Sequence, residues 1–451
     1  MNASITMRSK QQLIQDVLAA IDANREKIIG IGTTVWKNPE PGYKEYKTSD
    51  LAAKTLMELG LPPKRNLAIT GMRADLDGAK PGPSLAICGE MDSLILPSHP
   101  ECNPVTGAVH ACGHNSHIAN MLGAAIGLVQ ANAQNDISGK VAFIPCPAEE
   151  CIETEWRSKL IKEGKIKALG GKASMILEGV FDDIDMSIMN HLGCVGYSVL
   201  DNNGFCMKNV TFHGKSAHAA GGPQHSINAL SAANLALHGL ALLRETYSGD
   251  QYIRAHGILT HGGESVNIIP DCASIEYQLR AEKLDKIRAL SEKFDQCMRG
   301  CAMAIGCTVD ITTMPGYMPL YNDDELCGCF AEAVAIANPN ATPARCKPFF
   351  DMGCTDMGDL SVIMPVLHSY CPGGGGTGHG VDYRIDDPEK AYIVNSKILA
   401  IMAIDLLYGD AERGRKVAAR KKNCLPIEKY REIMDSFNSF STTCQSGHAE
   451  A

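Results

Sequence analysis

An α/β sheet with crossover connections, carrying an inserted α+β unit, is the fold this sequence predicts. Three observations predict it. Short apolar runs that read as buried strands alternate with helical stretches along the first 200 residues. Ionisable residues collect just after those runs, where open α/β sheets bind their ligands. From Asp201 to Thr313 the pattern changes to the alternation of half-exposed antiparallel strands.

Gln11 to Ile29 reads as an amphipathic helix, and Ser49 to Leu59 as a second, stopped by Gly60 and Pro62-Pro63. Ser84 to Cys88 is a buried strand ending in Gly-Glu90-Met-Asp92. Ile118 to Gln130 is helical, and Lys140 to Pro145 is a strand stopping at Pro147 and Glu149-Glu150. Ser174 to Glu178 and Met186 to Asn190 are expected as further strands. In the inserted unit, strands at Phe205 to Phe212 and Ser274 to Leu279 accompany helices at Ile227 to Leu243 and Lys283 to Ala304. Met352 to Tyr383 reads as loops and short strands, and Ala391 to Leu407 as a long helix. The expected division is 1–200, 201–313 and 314–451, the last returning to the first domain and ending in a helical tail.

Composition excludes several function classes. Against 51 acidic residues stand 42 Lys and Arg, a net charge of −9, so the basic footprint of a nucleic-acid binder is missing. Six basic residues between Arg413 and Lys422 read as a solvated helix face. No uncharged apolar run is long enough to span a membrane; Ile398 to Tyr408 is broken by Asp405. The first residues carry no apolar signal region, and the 18 cysteines are spread through the chain, so reduced thiols and a cytoplasmic location are expected.

The chemistry concentrates in His110-Ala-Cys112-Gly-His114-Asn-Ser-His117. A thiolate and an imidazole separated by one residue can reach one metal, or a metal pair, from a loop at a helix start. His110 and His117 read as capping or core residues. Glu149-Glu150 offers a ligand and a general base from neighbouring side chains. His191 follows a strand, and His379 follows a glycine run that lacks the Lys-Ser or Lys-Thr of a phosphate loop.

In order along the chain stand Glu90-Met-Asp92-Ser-Leu, His110-Ala-Cys-Gly-His114-Asn, Pro147-Ala-Glu149-Glu150, Asn190-His191, Gly214-Lys-Ser-Ala-His218-Ala, Glu264-Ser-Val-Asn267-Ile-Ile-Pro270 and Cys354-Thr-Asp356-Met-Gly-Asp359. This ordered set resembles the metal-dependent amidohydrolases that include aminoacylases, indole-acetyl-amino-acid hydrolases and aminobenzoyl-glutamate hydrolases. Gly-Glu-Met-Asp and Gly-His-Asn look most like the aminobenzoyl-glutamate branch. The resemblance runs from Trp36 to Leu407. It implies a mixed-sheet metallopeptidase catalytic domain with an inserted lid and dimerisation domain.

By that resemblance Cys112 bridges two divalent metals, with His114 and Glu150 completing one site and His191 and His379 the other. Zinc is the expected metal, with manganese or cobalt as alternatives. Glu149 is the implied general base, and His218 the implied oxyanion donor to a partner subunit's site in a homodimer. Asn267 and Arg280 would hold the substrate carboxylate, and Asp92 would support a ligand from behind. His368 competes with His379 as last ligand, and the segment Ile95 to Val109 stands where it can reshape the pocket. The expected activity is cleavage of the amide bond in an N-acyl or N-aroyl amino acid or a dipeptide. Two other readings stand beside it. One is a non-catalytic or partner-dependent subunit. The other is a thiol enzyme using Cys112, which leaves Glu149-Glu150 without a role.

Overall fold

The computed structural model describes residues 7–247, 252–341 and 349–442. The chain divides into two compact units: Met1–Asp201, Leu320–Phe350 and Asp356–Pro426 form one, and Asn202–Pro319, Asp351–Thr355 and Ile427–Ala451 the other.

The first unit is built on an eight-stranded mixed sheet. Its order is Lys64–Leu67, Gly71–Asp77, Ser138–Cys146, Lys80–Glu90, Met186–Gly193, Val366–Pro372, Ser198–Asn202 and Phe349–Asp351. The four central strands, Ser138–Cys146, Lys80–Glu90, Met186–Gly193 and Val366–Pro372, run parallel. Their carboxyl ends therefore open on one side, the position from which α/β sheets present ligand-binding residues. Helix His114–Gln130 is buried from His114 to Leu128. Its small residues let helices Lys10–Ala23, Arg25–Lys37 and Asn395–Leu407 pack against it. From Ile118 onward the helix is almost wholly apolar, as such a central position requires, while its first turn carries the polar residues of the site.

Four expectations need correction here. Ser174 to Glu178 is not a strand; it lies in helix Gly171–Leu177. A short apolar run carries no periodicity that separates a buried strand from a buried helix. Gln11 to Ile29 is two helices, Lys10–Ala23 and Arg25–Lys37, broken at Asn24. The stretch Met352 to Tyr383 has its expected short strands, one of them the central Val366–Pro372, but also an unexpected helix, Met357–Ser361. The basic run after Arg413 is not simply a solvated face. Arg413 bridges Glu325, Glu332 and Asp405, and Arg420 pairs with Asp323.

The second unit is α+β. Its five-stranded antiparallel sheet has the order Arg254–His261, Cys272–Ala281, Gly204–His213, Thr308–Pro315 and Ser439–Thr442. Helices Ala229–Leu243 and Leu284–Ile305 supply its core through Ala232, Ala236, Leu290, Phe294 and Met298. Residues 314–451 do not all return to the first unit: from Ile427 onward they group with the second. Ser439–Thr442 adds to the Thr308–Pro315 edge, and Phe437 joins the same core. Among the described residues no helix is long and apolar enough to cross a membrane. The sixteen described cysteines form no disulfide with one another, and Cys346 and Cys444 lie outside the described residues.

Candidate metal centre and active site

The site stands at the carboxyl ends of the parallel strands of the first unit. Lys80–Glu90 leads into Glu90 and Asp92, Ser138–Cys146 into Glu149 and Glu150, and Met186–Gly193 carries His191. Val366–Pro372 leads through the glycine run to His379. Cys112 and His114 flank the start of helix His114–Gln130. Between them Gly113 adopts φ +85°, a conformation that L side chains rarely adopt. A Cβ there would also meet Tyr383 Oη at 2.5 Å and Leu192 Cβ at 2.8 Å. The turn that presents both side chains thus depends on glycine.

Two groups of ligand atoms share Cys112. Cys112, His114 and His191 lie within 4.8 Å of one another, as do Cys112, Glu150 and His379. The Sγ atom is 3.5 Å from His191 Nε2 and 3.3 Å from His379 Nε2, and His379 Nε2 is 3.3 Å from Glu150 Oε1. This grouping differs from the expected one, which joined His114 with Glu150 and His191 with His379. Sequence spacing says which residues sit at strand ends but not which way each side chain points. Of the competing histidines, His379 enters a cluster and His368 does not. His368 is buried behind His191, with ring centroids 5.5 Å apart and burial holding its pKa down to about 3.

Glu90 is the hub that the sequence left without a role. Its carboxylate meets Lys172 Nζ at 2.5 Å, His117 Nδ1 at 3.0 Å and His114 Nε2 at 3.2 Å. Lys172 also pairs with Asp356, and all three groups are fully buried. No sequence signal marked Lys172, because one buried cation among acids has no periodicity. His117 donates through Nδ1 to Glu90 and accepts Leu192 N–H through Nε2 at 3.2 Å, so both its nitrogens are committed to the fold. Asp92 takes His114 Nδ1 at 3.1 Å on one oxygen and Glu150 N–H at 2.8 Å on the other.

Electrostatics separates the two adjacent glutamates from ordinary surface acids. Burial first, then the charges of Glu90 and Glu150, push the Glu149 carboxyl well above its usual range. Burial disfavours charge on His114, but the neighbouring Cys112 and Glu90 and the Asp92 hydrogen bond outweigh it and hold the ring well above normal. Hydrogen bonds to Cys112 and Glu150 raise His379 to about 11. Burial and the neighbouring rings of His117 and His368 push His191 well below normal.

The residues fit divalent metal. His114 Nε2 and Glu150 Oε1 are buried facing other donor groups, 3.2 Å from Glu90 and 3.3 Å from His379 Nε2, and each residue belongs to a compact donor set. Thiolate with imidazole and carboxylate suits zinc and its neighbours. Beside Cys112 and His191 a cavity of about 820 Å³ opens, lined by Leu192, Val195, Tyr197, Leu200, Phe349 and Tyr370. Among the described residues no Asp, Glu, Lys or Arg lines it. Tyr383 closes one side, and its carbonyl bonds to buried His99 at 2.9 Å, so the segment Ile95 to Val109 braces this wall.

The remaining expected residues lie in the second unit. His218 is exposed, and its Nδ1 accepts N–H from Ala220 at 3.1 Å and Gly221 at 2.9 Å, which leaves the ring proton on Nε2. Asn267 is exposed and takes the Ser265 hydroxyl at 2.5 Å. Arg280 is half-buried, held by Gln278 Oε1 at 2.5 Å.

Residues 86–405 match the model of the peptidase family M20/M25/M40, and the chain belongs to that family. The chain is similar to the Xaa-Arg dipeptidase of Mus musculus, 28% identical over 87% of this chain and 88% of that protein. It is 27% identical to the N-acetyl-L-cysteine deacetylase of Bacillus subtilis, over 68% of this chain and 72% of that one. Its fold matches a dinuclear metal-binding peptidase of the M20 family from Bacillus subtilis with TM-score 0.63 and 23% identity, over 86% of this chain and 99% of the other.

Proposed function

We propose that this protein hydrolyses the amide bond of an N-acyl or N-aroyl amino acid, or of a dipeptide, using two divalent metal ions. The observation that carries the reading is the pair of ligand groups sharing Cys112 beside Glu149. Cys112 with His114 and His191 would hold one ion, and Cys112 with Glu150 and His379 the other. When bound, such ions lower the pKa of water toward 7 and polarise a carbonyl. Glu149 accepts the proton of the attacking water on its carboxylate and delivers it to the leaving amine nitrogen. A carboxyl held above its ordinary range by burial and by the charges of Glu90 and Glu150 is suited to carrying that proton.

The acyl group is assigned to the cavity of Leu192, Leu200, Phe349 and Tyr370, whose lining favours an uncharged, apolar or aromatic group. The substrate carboxylate falls to Asn267 and Arg280, since a guanidinium binds a carboxylate in two-point fashion. His218 presents an Nε2–H donor toward solvent, the form an oxyanion donor to a partner copy requires.

A homodimer is part of the reading. Strand Arg254–His261 is at the edge of its sheet, and it exposes Ile258 (64%) and Leu259 (44%). A long apolar edge strand invites pairing with a second copy. Sixteen described cysteines that form no disulfide with one another support a reducing, cytoplasmic setting. The alternative of a non-catalytic subunit is disfavoured by the full donor set and an intact Glu149.

Glu149→Gln tests the assignment. Turnover is expected to fall at least about 1000-fold, with metal content unchanged. Retained turnover contradicts the role given to Glu149.

A further inference from the structure

The turn that carries Glu149 and Glu150 is strained and is held from outside. Ala148 has φ +52° and is buried, a left-handed conformation that a residue with a Cβ adopts rarely. Its N–H donates to Glu45 Oε1 at 2.7 Å, and its carbonyl accepts from Gly171 N at 3.1 Å. Glu45 is fully buried, and its other oxygen takes the Thr70 hydroxyl at 2.6 Å. The segment before Glu45 packs against the same turn: a Cβ on Gly42 would meet Ala148 Cα at 2.8 Å. That segment also holds the Asp92 loop, through Ser93 N to Glu40 O at 2.9 Å.

We propose that Glu45 is a positioning residue for the Glu149–Glu150 pair: by holding Ala148 N–H it fixes the left-handed turn that aims one carboxylate at the substrate and the other at the metal pair. Glu45 touches neither. Its contribution is the reach of one acceptor oxygen to one backbone N–H, so length matters and charge does not. The inference rests on the hydrolase reading above, but the geometry of the turn is independent of the substrate. A side chain one methylene shorter leaves Ala148 N–H buried and unpaired, and the turn relaxes toward the ordinary right-handed or extended regions. Small displacements of catalytic groups cost large factors in rate.

Two conservative variants of the full chain separate this from a general packing role. Glu45→Asp keeps the carboxyl and loses the reach; Glu45→Gln keeps the reach and loses the carboxyl. Glu45→Asp is expected to lower kcat about 100-fold with KM little changed, and Glu45→Gln to keep most of the activity. Zinc titration of the metal-free protein supplies a readout apart from activity. Glu45→Asp should weaken zinc affinity about tenfold through the displaced Glu150, and Glu45→Gln should not. Equal zinc affinity and kcat in wild type and Glu45→Asp would overturn the proposal, as would equal damage from the two variants. A wild-type chain inactive on every amide tested would count against the hydrolase reading, while the zinc comparison would still decide the role of Glu45.

Discussion

Asp92 accepts the Glu150 N–H at 2.8 Å on one carboxylate oxygen while the other lies 3.1 Å from His114 Nδ1. One buried carboxylate therefore orients a donor from each of the two ligand groups. It directs the His114 ring so that Nδ1 faces Asp92 and Nε2 faces the ligand group, and it fixes the backbone from which Glu150 projects. Such outer partners set both the tautomer and the aim of metal ligands. Asp92→Asn cannot accept both N–H groups, so its affinity for zinc should drop about 10- to 100-fold in a calorimetric titration. An unchanged affinity would show that the two ligand groups hold themselves.

The uncharged cavity sets an expectation for substrate choice. Leu200 lines it and is half-buried. Leu200→Lys places a cation among apolar side chains, and kcat/KM on aroyl or other apolar acyl substrates should fall at least about tenfold. Metal content should stay at the wild-type level. An equal loss on acetyl and aroyl substrates would remove the acyl group from this cavity.

The edge strand Arg254–His261 gives a test of assembly. Ile258→Lys puts a charge on the outer strand, a device by which natural edges avoid pairing. Light scattering should show a dimer for the wild type and a shift toward monomer for the variant. A wild-type chain that is monomeric and fully active would contradict the dimer.

Glu45 also sets a pH dependence of stability. Burial first, then the nearby Asp92 charge, raise its carboxyl from 4.5 to about 8, and Tyr43 stands close enough to feel it. The folded chain thus retains a proton that the unfolded chain releases. A raised folded pKa contributes stability that is present in full below the unfolded value and is lost as pH rises through the folded one. Wild type measured against Glu45→Gln should therefore lose stability between about pH 5 and pH 9, read as the difference in urea midpoint. Parallel curves for the two proteins would show that Glu45 does not titrate in this range.

Much of the fold was legible because its signals are local. The apolar runs that became Lys80–Glu90, Ser138–Cys146 and Met186–Gly193 announce buried parallel strands by length and composition alone. The site was legible where its residues are close in sequence. Cys112 and His114 are separated by one glycine, and Glu149 and Glu150 are adjacent, so their juxtaposition needed no tertiary information. What depends on side-chain direction was not legible. His114 shares a group with His191 and Cys112, and Glu150 with His379 and Cys112, a grouping that spacing along the chain does not specify. His379 stands beyond the strand end beside Cys112 while His368 lies within the strand, a difference that spacing along the chain does not carry. Lys172 and Glu45 carried no signal at all: a buried ionisable group satisfied by distant acids or by a distant backbone N–H looks, in sequence, like any surface residue.

The central claim is amide hydrolysis at a two-metal centre, and metal analysis joined to an assay tests it most directly. Elemental analysis of the purified protein should give about two divalent metals per chain. Hydrolysis of a panel of acyl-amino acids, aroyl-amino acids and dipeptides should be abolished by a chelator and restored by metal. Cleavage that proceeds without metal and ignores the chelator would contradict the account and move the chemistry to the Cys112 thiol.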